Sequence, residues 1–409
     1  MNIWIINHYA STLKTGFGGR WYYIAKEMAQ MGHHVRLFSS ANHHLLKIKP
    51  DLGGKNSLEE EVDGFSFVWL ETKDYKNAHS KLERIYSEFR FEKNIKSLNN
   101  KFKEKPDVII YSSPSLIGYN GAYALSKKIG CEIILDIRDM WPLTLIEMGV
   151  SKYHPFILYL SHLEKKAYNS CSHIISNWPY AINYIKKYGV VENKFDWIPN
   201  GFSISEFLDP VELDQEVRNL IPNDKFIIGY TGTLGHANAL ESFIEAASLL
   251  KANEDIIFMI VGSGKEKQFL INQAERLSCS NILFLDSIPK KQIPSLLSCF
   301  SACYVGFLDI DLYKYGSSLT KLPEYLASNK PIIYASSSTF QPINEYKAGF
   351  TVPAEDSVQI SQAILKLYTL DTASRQQMGM NGYSAAITKY EYKILANKVI
   401  NIIDKVSGK

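Results

Sequence analysis

Runs of four to six apolar, mostly β-branched or aromatic residues alternate with helix-patterned stretches along the chain, and the alternation occurs twice in succession. In the first series 3–7, 35–39, 65–70, 107–112, 132–137 and 173–176 read as strands, with helical stretches over 19–31, 79–104, 118–129 and 153–169. A polar spacer, 203–224, follows FDWIPNGF (195–202), and the pattern then restarts. Its strands are 226–232, 255–264, 282–286, 302–307, 331–335 and 349–353; its helices are 239–250, 265–277, 289–299, 358–369 and 373–408. Short runs with no polar face belong to parallel strands that helices cover on both sides. The expectation is an α/β fold with two doubly wound parallel-sheet domains in tandem, and 409 residues at 46% hydrophobic content suffice for two cores.

Bulk properties narrow the function classes. A formal charge of +3 gives no electrostatic case for nucleic acid. Cys131, Cys171, Cys279, Cys299 and Cys303 include no CxxC pair, and no His or further Cys completes a metal set around Cys299 and Cys303, so buried free thiols in a reducing cytosol are expected. The N-terminus enters IWIINH without a basic leader, and no stretch reaches the ~18–20 apolar residues of a membrane span. A cytoplasmic protein is expected, with peripheral contact at the inner face of the plasma membrane.

In doubly wound sheets ligands bind beyond the carboxyl ends of the strands, so the loops there hold the candidates. The first, HYASTLKTGFGGR (8–20), places Gly16, Gly18 and Gly19 before a helix, where backbone N–H groups can approach a phosphate or sugar; a flexible loop is the plain alternative. The second is Ser112-Ser113-Pro114-Ser115. The third, DIRDMWP (136–142), sets Asp136, Arg138 and Asp139 beside Trp141. Carboxylates and Arg take hydroxyls in pairs and Trp offers a face, which suits a sugar; a capping salt bridge is the alternative. In the second domain TGTLGHAN, GSGKEK and DSIPKK should line a cleft facing the first, with Lys265, Lys267, Lys290 and Lys291 as cations.

The stretch 312–334, LYKYGSSLTKLPEYLASNKPIIY, carries the densest chemistry. A polar loop feeds a short helix bearing Lys321 and Glu324, where a diphosphate could meet the helix start and a ribose could meet the carboxylate. An amphipathic helix burying Leu322, Tyr325 and Leu326 explains the same pattern. Asp309-Ile310-Asp311 imitates a metal-binding DxD, but it reads as loop and no metal is expected. Residues 73–105 hold ten Lys/Arg against five Asp/Glu with interleaved aromatics, the mark of either a membrane-surface helix or a core-facing stripe with a solvated charged face. The membrane reading is preferred.

These motifs together resemble the retaining glycosyltransferases of family 4. The resemblance rests on TGFGGR, IPNGF (198–202), YTGTLG (230–235), IVGSG (260–264), KLPEYLASNKPII (321–333) and DIRDMWPLTLIEMG (136–149). The last is similar to the bacterial N-acetyl-L-fucosamine-transferase-like subgroup of O-antigen and capsule assembly. The resemblance implies a GT-B architecture. Residues 1–200 form an acceptor-side domain, completed by a C-terminal helix at about 386–409, and residues 201–385 form a nucleotide-sugar domain. It implies donor contacts at Gly18, Gly19, Gly232, Thr233, Asn238, Lys265, Ile288, Leu319, Thr320 and Glu324. Catalytic roles fall on Asp136, Arg138, Asp139 and Lys321, and acceptor or sugar contacts on Asn177 and Asn200. Two departures stand out. The first glutamate of the family's pair falls on Gly316, and the basic pair that neutralises the leaving diphosphate falls near Thr233 and Asn238. Lys321, Lys265, Arg138 and Arg20 are the candidate replacements.

The implied reaction moves an N-acetylated hexosamine, 6-deoxy or not, from a UDP-sugar to a polyprenyl-diphosphate-linked saccharide. The acceptor attacks on the face the diphosphate leaves, and neither a protein nucleophile nor a cofactor is needed. A UDP-sugar 2-epimerase of the same fold and a non-catalytic partner subunit are the alternatives.

Overall fold

The computed structural model describes residues 1–74 and 81–408, with the side chains of Lys81 and Leu82 left aside. Tyr75, Lys76 and the predicted helix start at 79–80 lie outside the described residues, as does Lys409. The chain divides into two compact units: Met1–Pro199 with Tyr315–Ser318 and Tyr392–Lys409, and Asn200–Lys314 with Leu319–Glu391.

The first unit is built on eight strands: β1 Asn2–Asn7, β2 His34–Ser40, β3 Ser57–Val62, β4 Phe65–Leu70, β5 Val108–Ser112, β6 Glu132–Ile137, β7 His173–Ser176 and β8 Phe195–Trp197. Their order is β3-β4-β2-β1-β5-β6-β7-β8, parallel except for β3 against β4. The apolar runs are buried as their composition requires: IWII of β1 and VIIYS of β5 are enclosed on both faces. Two strands had no clear apolar signal. β3, SLEEEV, is a half-exposed edge, joined to β4 by Asp63-Gly64 with both φ values positive (47° and 87°), the chemistry of a two-residue hairpin turn. β8 is three residues long.

The second unit continues with β9 Phe226–Thr231, β10 Ile256–Val261, β11 Ile282–Leu285, β12 Ala302–Gly306, β13 Ile332–Ala335 and β14 Gly349–Val352. Their order, β11-β10-β9-β12-β13-β14, is wholly parallel. Strand order reverses between β1 and β5 in one unit and between β9 and β12 in the other, and loops leaving such a pair diverge to open a crevice.

The C-terminal stretch 373–408 is not one helix. Thr372–Ala385 ends in a π turn over Ala386–Tyr390, Glu391 is extended, and Tyr392–Ser407 is a separate helix. That last helix packs on Arg20–Gln30, with the rings of Tyr23 and Tyr392 stacked at 4.6 Å.

Helix Lys81–Lys101 occupies most of the stretch 73–105 that was read as a membrane-surface segment. Its Phe91, Ile95 and Leu98 are buried, and the helix packs along Ile117–Ile129. Part of the apolar stripe is therefore occupied within the fold, while Tyr86 and Phe89 stay exposed among the charged residues. Among the described residues no helix is long and apolar enough to cross a membrane.

Glycines let the loops of the second unit approach one another. A Cβ on Gly262 (φ 156°) would lie 1.9 Å from the carbonyl oxygen of Gly232. Gly262→Ala is expected to destabilise the protein by about 3 kcal/mol or more, since only backbone movement relieves the clash. A fall in the urea midpoint at constant slope checks this; an unchanged midpoint refutes it.

Candidate active site

In the second unit the site grows from β9 and the helix Leu322–Ala327. Tyr325 locks the two together: its hydroxyl accepts from Thr231 N at 2.7 Å and donates to Thr231 O at 3.2 Å. This brings Lys321, the residue before the helix, over the loop that leaves β9. Its Nζ donates to Tyr230 Oη at 2.7 Å and to Asn238 Oδ1 at 3.0 Å, and lies 4.0 Å from the centre of the Tyr230 ring. Tyr230 Oη and Asn238 Nδ2 both donate to Thr233 O, at 2.7 and 3.0 Å, so the cradle is itself braced. Gly232 lies beneath it with φ 145°, a conformation that favours glycine, and a Cβ there would come within 3.2 Å of Lys321 Nζ.

No carboxylate pairs with Lys321 among the described residues. Burial without a counter-ion pushes its amine down from 10.5 to about 7. A lysine in this state gains its charge cheaply when an anion arrives. Its location bears on the second departure: the ammonium sits against the side chain of Asn238, near which the resemblance expects a basic residue and finds none.

Glu324, expected at the donor ribose, is ion-paired with Lys290 from the loop after β11. Ile288, in the same loop, is half-buried; Leu319 is half-buried, and Thr320 and Lys265 are exposed. Gly316 adopts φ 92°, a left-handed conformation that a glutamate would occupy only with strain. Asp309 and Asp311 lie beyond β12, where Asp311 pairs with Lys314 at 3.5 Å.

In the first unit the loops leaving β1, β5 and β6 converge. Asp136, at the end of β6, is fully enclosed and accepts from an Arg20 guanidinium nitrogen, from Trp21 Nε1 at 2.7 Å and from Ser112 Oγ at 2.7 Å. Arg20 also donates to the carbonyl of Ile198. The carboxylate expected to be catalytic is thus engaged by three donors of its own domain. Its oxygens are spent on holding the glycine loop and its helix, entered through Gly18 (φ 72°) and Gly19 (φ 90°), to the strand end. The ion pair balances the charge of Arg20, one of the candidate cations.

Arg138 is placed differently. Its backbone N–H donates to Ser113 Oγ at 2.9 Å and its carbonyl accepts from Trp178 Nε1 at 3.1 Å. Its guanidinium makes no hydrogen bond or ion pair among the described residues, and burial together with the neighbouring Arg20 pushes it below the usual arginine range. Asp139 accepts from Thr144 Oγ1 at 2.5 Å and Trp141 Nε1 at 3.1 Å, and burial raises its carboxyl above the ordinary aspartate value.

Asn177, expected at the acceptor or sugar, is buried. With its amide oriented to satisfy its surroundings, its nitrogen donates to the carbonyls of Ile137 and Arg138 at 3.1 Å each and its oxygen accepts from Ser318. That amide braces the loop. Asn200 is buried just after IPN.

Sequence reasoning passed over Tyr230 and Tyr325, which shape the lysine cradle, and a cluster at the ends of β1 and β5. There Glu88 is buried, accepting from Ser115 Oγ at 2.8 Å and Tyr9 Oη at 3.3 Å, with Arg84 Nε 3.9 Å away. The i, i+4 spacing of Arg84 and Glu88 was its only signal in the sequence.

Two parallel-sheet α/β domains with ligand loops at these strand ends are the GT-B architecture of glycosyltransferases. Residues 16–206 match the family Glycosyltransferase Family 4, and residues 212–385 match the family Glycosyl transferases group 1. The chain is 27% identical over 230 residues to an Escherichia coli protein described as the colanic acid biosynthesis glycosyl transferase WcaI, covering 55% of each chain. The match thus spans little more than half of that relative. Identity to the Staphylococcus aureus capsular polysaccharide biosynthesis glycosyltransferase CapM is 24%, over 72% of this chain and 75% of CapM. Among solved structures, sucrose-phosphate synthase from Thermosynechococcus elongatus superposes with TM-score 0.77 at 15% identity, covering 100% of this chain and 99% of that one. Anabaena HepE, solved with UDP and glucose, gives 0.68 at 14% identity over 99% of both chains. At such identities the likeness of the structures is one of fold.

Proposed function

We propose that this protein is a retaining glycosyltransferase of family 4 type, transferring an N-acetylated hexosamine, 6-deoxy or not, from a UDP-sugar to a polyprenyl-diphosphate-linked saccharide. Bacterial surface polysaccharide assembly, as O-antigen or capsule, is its setting, at the cytoplasmic face of the membrane. The observation that carries the reading is the unpaired, half-buried Lys321 on the Tyr230–Asn238 cradle. UDP-binding neighbours of the same fold and relatives named for colanic acid and capsule synthesis support it.

The chemistry follows from charge. The sugar–phosphate bond breaks with negative charge growing on the diphosphate and positive charge on the anomeric carbon. An ammonium held in place before the reaction stabilises that charge without reorganisation. Lys321 supplies it from the second domain. Glu324 grips the ribose hydroxyls and exchanges part of its bond with Lys290 for them, while Ile288 reads the base through its backbone. Arg138 and Asp139 serve the reacting sugar and the acceptor. The acceptor hydroxyl attacks on the face the diphosphate leaves and its proton passes to a phosphate oxygen. No protein nucleophile, metal or other cofactor is invoked.

The test is thermal unfolding with UDP, GDP, ADP and UDP-N-acetylglucosamine. UDP should raise the apparent stability, by about 2.7 kcal/mol at a hundred times its Kd. Glu324→Ala should lose that shift while unfolding as cooperatively as the parent. No shift with any nucleotide would refute donor binding and favour a non-catalytic subunit, for which the Gly316 departure argues. Inversion of configuration at the transferred anomeric carbon relative to the donor, seen by NMR, would refute retention.

A further inference from the structure

Glu324 is held by another loop of its own domain. Lys290, in the short turn Lys290–Gln292 after β11, is ion-paired with Oε1 of Glu324, which lies in the first turn of Leu322–Ala327. The lysine side chain is 31% exposed and the carboxylate 16%, so the pair is only partly open to water. Oε2 of Glu324 makes no hydrogen bond or ion pair among the described residues.

Lys290 stands on an anchored turn. The carbonyl of Pro289 accepts from Gln292 N at 2.9 Å and closes it. Gln292 Nε2 donates to Asp214 Oδ1 at 3.0 Å, and Ser295 Oγ, in the helix that follows, donates to the carbonyl of Val211 at 2.7 Å. Both anchors belong to the spacer 203–224. A glutamate at a helix start has three rotatable side-chain bonds, and without a partner it samples several rotamers. A cation whose own backbone is fixed settles one carboxylate oxygen, and with it the plane of the group. The second oxygen is then left open in a defined direction.

We propose that Lys290 is a positioning residue that makes the donor site selective for ribonucleotides, an inference that rests on Glu324 gripping the ribose. With Oε1 shared between Lys290 and one hydroxyl, and Oε2 given to the other, the carboxylate accepts from O2′ and O3′ together. A nucleotide without the 2′-hydroxyl leaves one of these oxygens desolvated and unsatisfied. Ile288, placed at the base, stands two residues before Lys290, so one anchored segment sets the span from base to ribose. Sugars carried on deoxyribonucleoside diphosphates are thereby disfavoured as donors. The reaction that supplies this donor must build or modify its sugar on a ribonucleoside diphosphate. A lock that shuts the empty site would use the same ion pair, and the sign of the change on removing Lys290 tells the two apart.

The test is calorimetric titration of the full chain with UDP and 2′-deoxy-UDP. The parent should bind UDP about tenfold or more tightly than 2′-deoxy-UDP, the factor carried by one hydrogen bond to a charged group. Lys290→Met should reduce that ratio to about threefold or less, chiefly by weakening UDP, and Lys290→Arg should restore it. Loss of a merely structural contact would weaken both nucleotides alike. Lys290→Met should unfold as cooperatively as the parent, because Gln292 and Ser295 still anchor the turn. Equal binding of the two nucleotides by the parent overturns the proposal and leaves the donor site standing. So does a full ratio retained in Lys290→Met, an equal weakening of both nucleotides, or tighter UDP binding by that variant, the result a lock would give. Absence of binding by either nucleotide refutes the ribose grip of Glu324 and the proposal with it.

Discussion

Lys321→Met is expected to lower kcat for sugar transfer by about 10²–10³-fold, the usual cost of removing one preorganised group from developing negative charge. Folding should survive, because the substitution removes a desolvated amine that no carboxylate balances, and Met keeps the length of the chain. The pH dependence is the sharper test. In the free protein the amine titrates at about 7. A bound diphosphate favours the charged form and raises that value. UDP affinity should therefore be flat just below pH 7 and should fall by about tenfold per unit above it, until the raised value of the complex is reached. Lys321→Met should flatten the profile between pH 7 and 9, where UDP itself is fully ionised. Calorimetric titration over that range decides the matter: a slope that persists in Lys321→Met assigns the titration to another group.

The stability linkage runs in the opposite direction. Lys321 holds its proton less tightly folded than unfolded, so between about pH 7 and 10.5 the unfolded chain binds more protons and this residue makes the fold more stable as pH rises. In the absence of nucleotide the variant should lack that contribution. Ligand binding and stability thus respond to the same proton with opposite signs.

Asp136→Asn should cost about 3–5 kcal/mol of stability, because it leaves the enclosed Arg20 guanidinium as an uncompensated charge. Thermal unfolding of the first domain should fall by about 10 °C. Arg138→Gln, two residues along, should behave in the reverse manner. Its guanidinium is desolvated beside Arg20 and makes no hydrogen bond or ion pair among the described residues, so removing it should leave the midpoint unchanged or raised. Turnover should nevertheless fall by about 10²-fold if, as proposed, the guanidinium serves the reacting sugar and the acceptor. Calorimetry and initial rates on both variants separate the positioning role of Asp136 from the direct role of Arg138. Loss of stability in Arg138→Gln would place it among the structural residues instead.

The α/β class was legible because a parallel strand buried on both faces must be apolar throughout. IWIIN, VIIYS, EIILDI and FIIGYT therefore stand out from any helix. β3 did not stand out, because an edge strand hydrogen-bonds along one side only and tolerates SLEEEV, and only Asp63-Gly64 announced its hairpin. The helix expected over 373–408 is interrupted by the extended Glu391, where the chain passes from one unit to the other.

Residue types near the site were readable in the same way, since charges and glycines just past apolar runs fall at strand ends. Which charges remain open was not readable. Asp136 and Arg138 look equivalent in DIRDMWP, yet one is consumed by Arg20 from a helix 116 positions earlier and the other makes no such bond. Lys321 and Asn238 are separated by 83 positions, and only β9 and the helix Leu322–Ala327, pinned by Tyr325, bring the amine to the amide. Local periodicity encodes which faces are buried, so the sequence by itself determined the layers and the loops. Ion pairing depends on distances of a few ångströms between groups far apart in the chain, and those the tertiary structure alone decided.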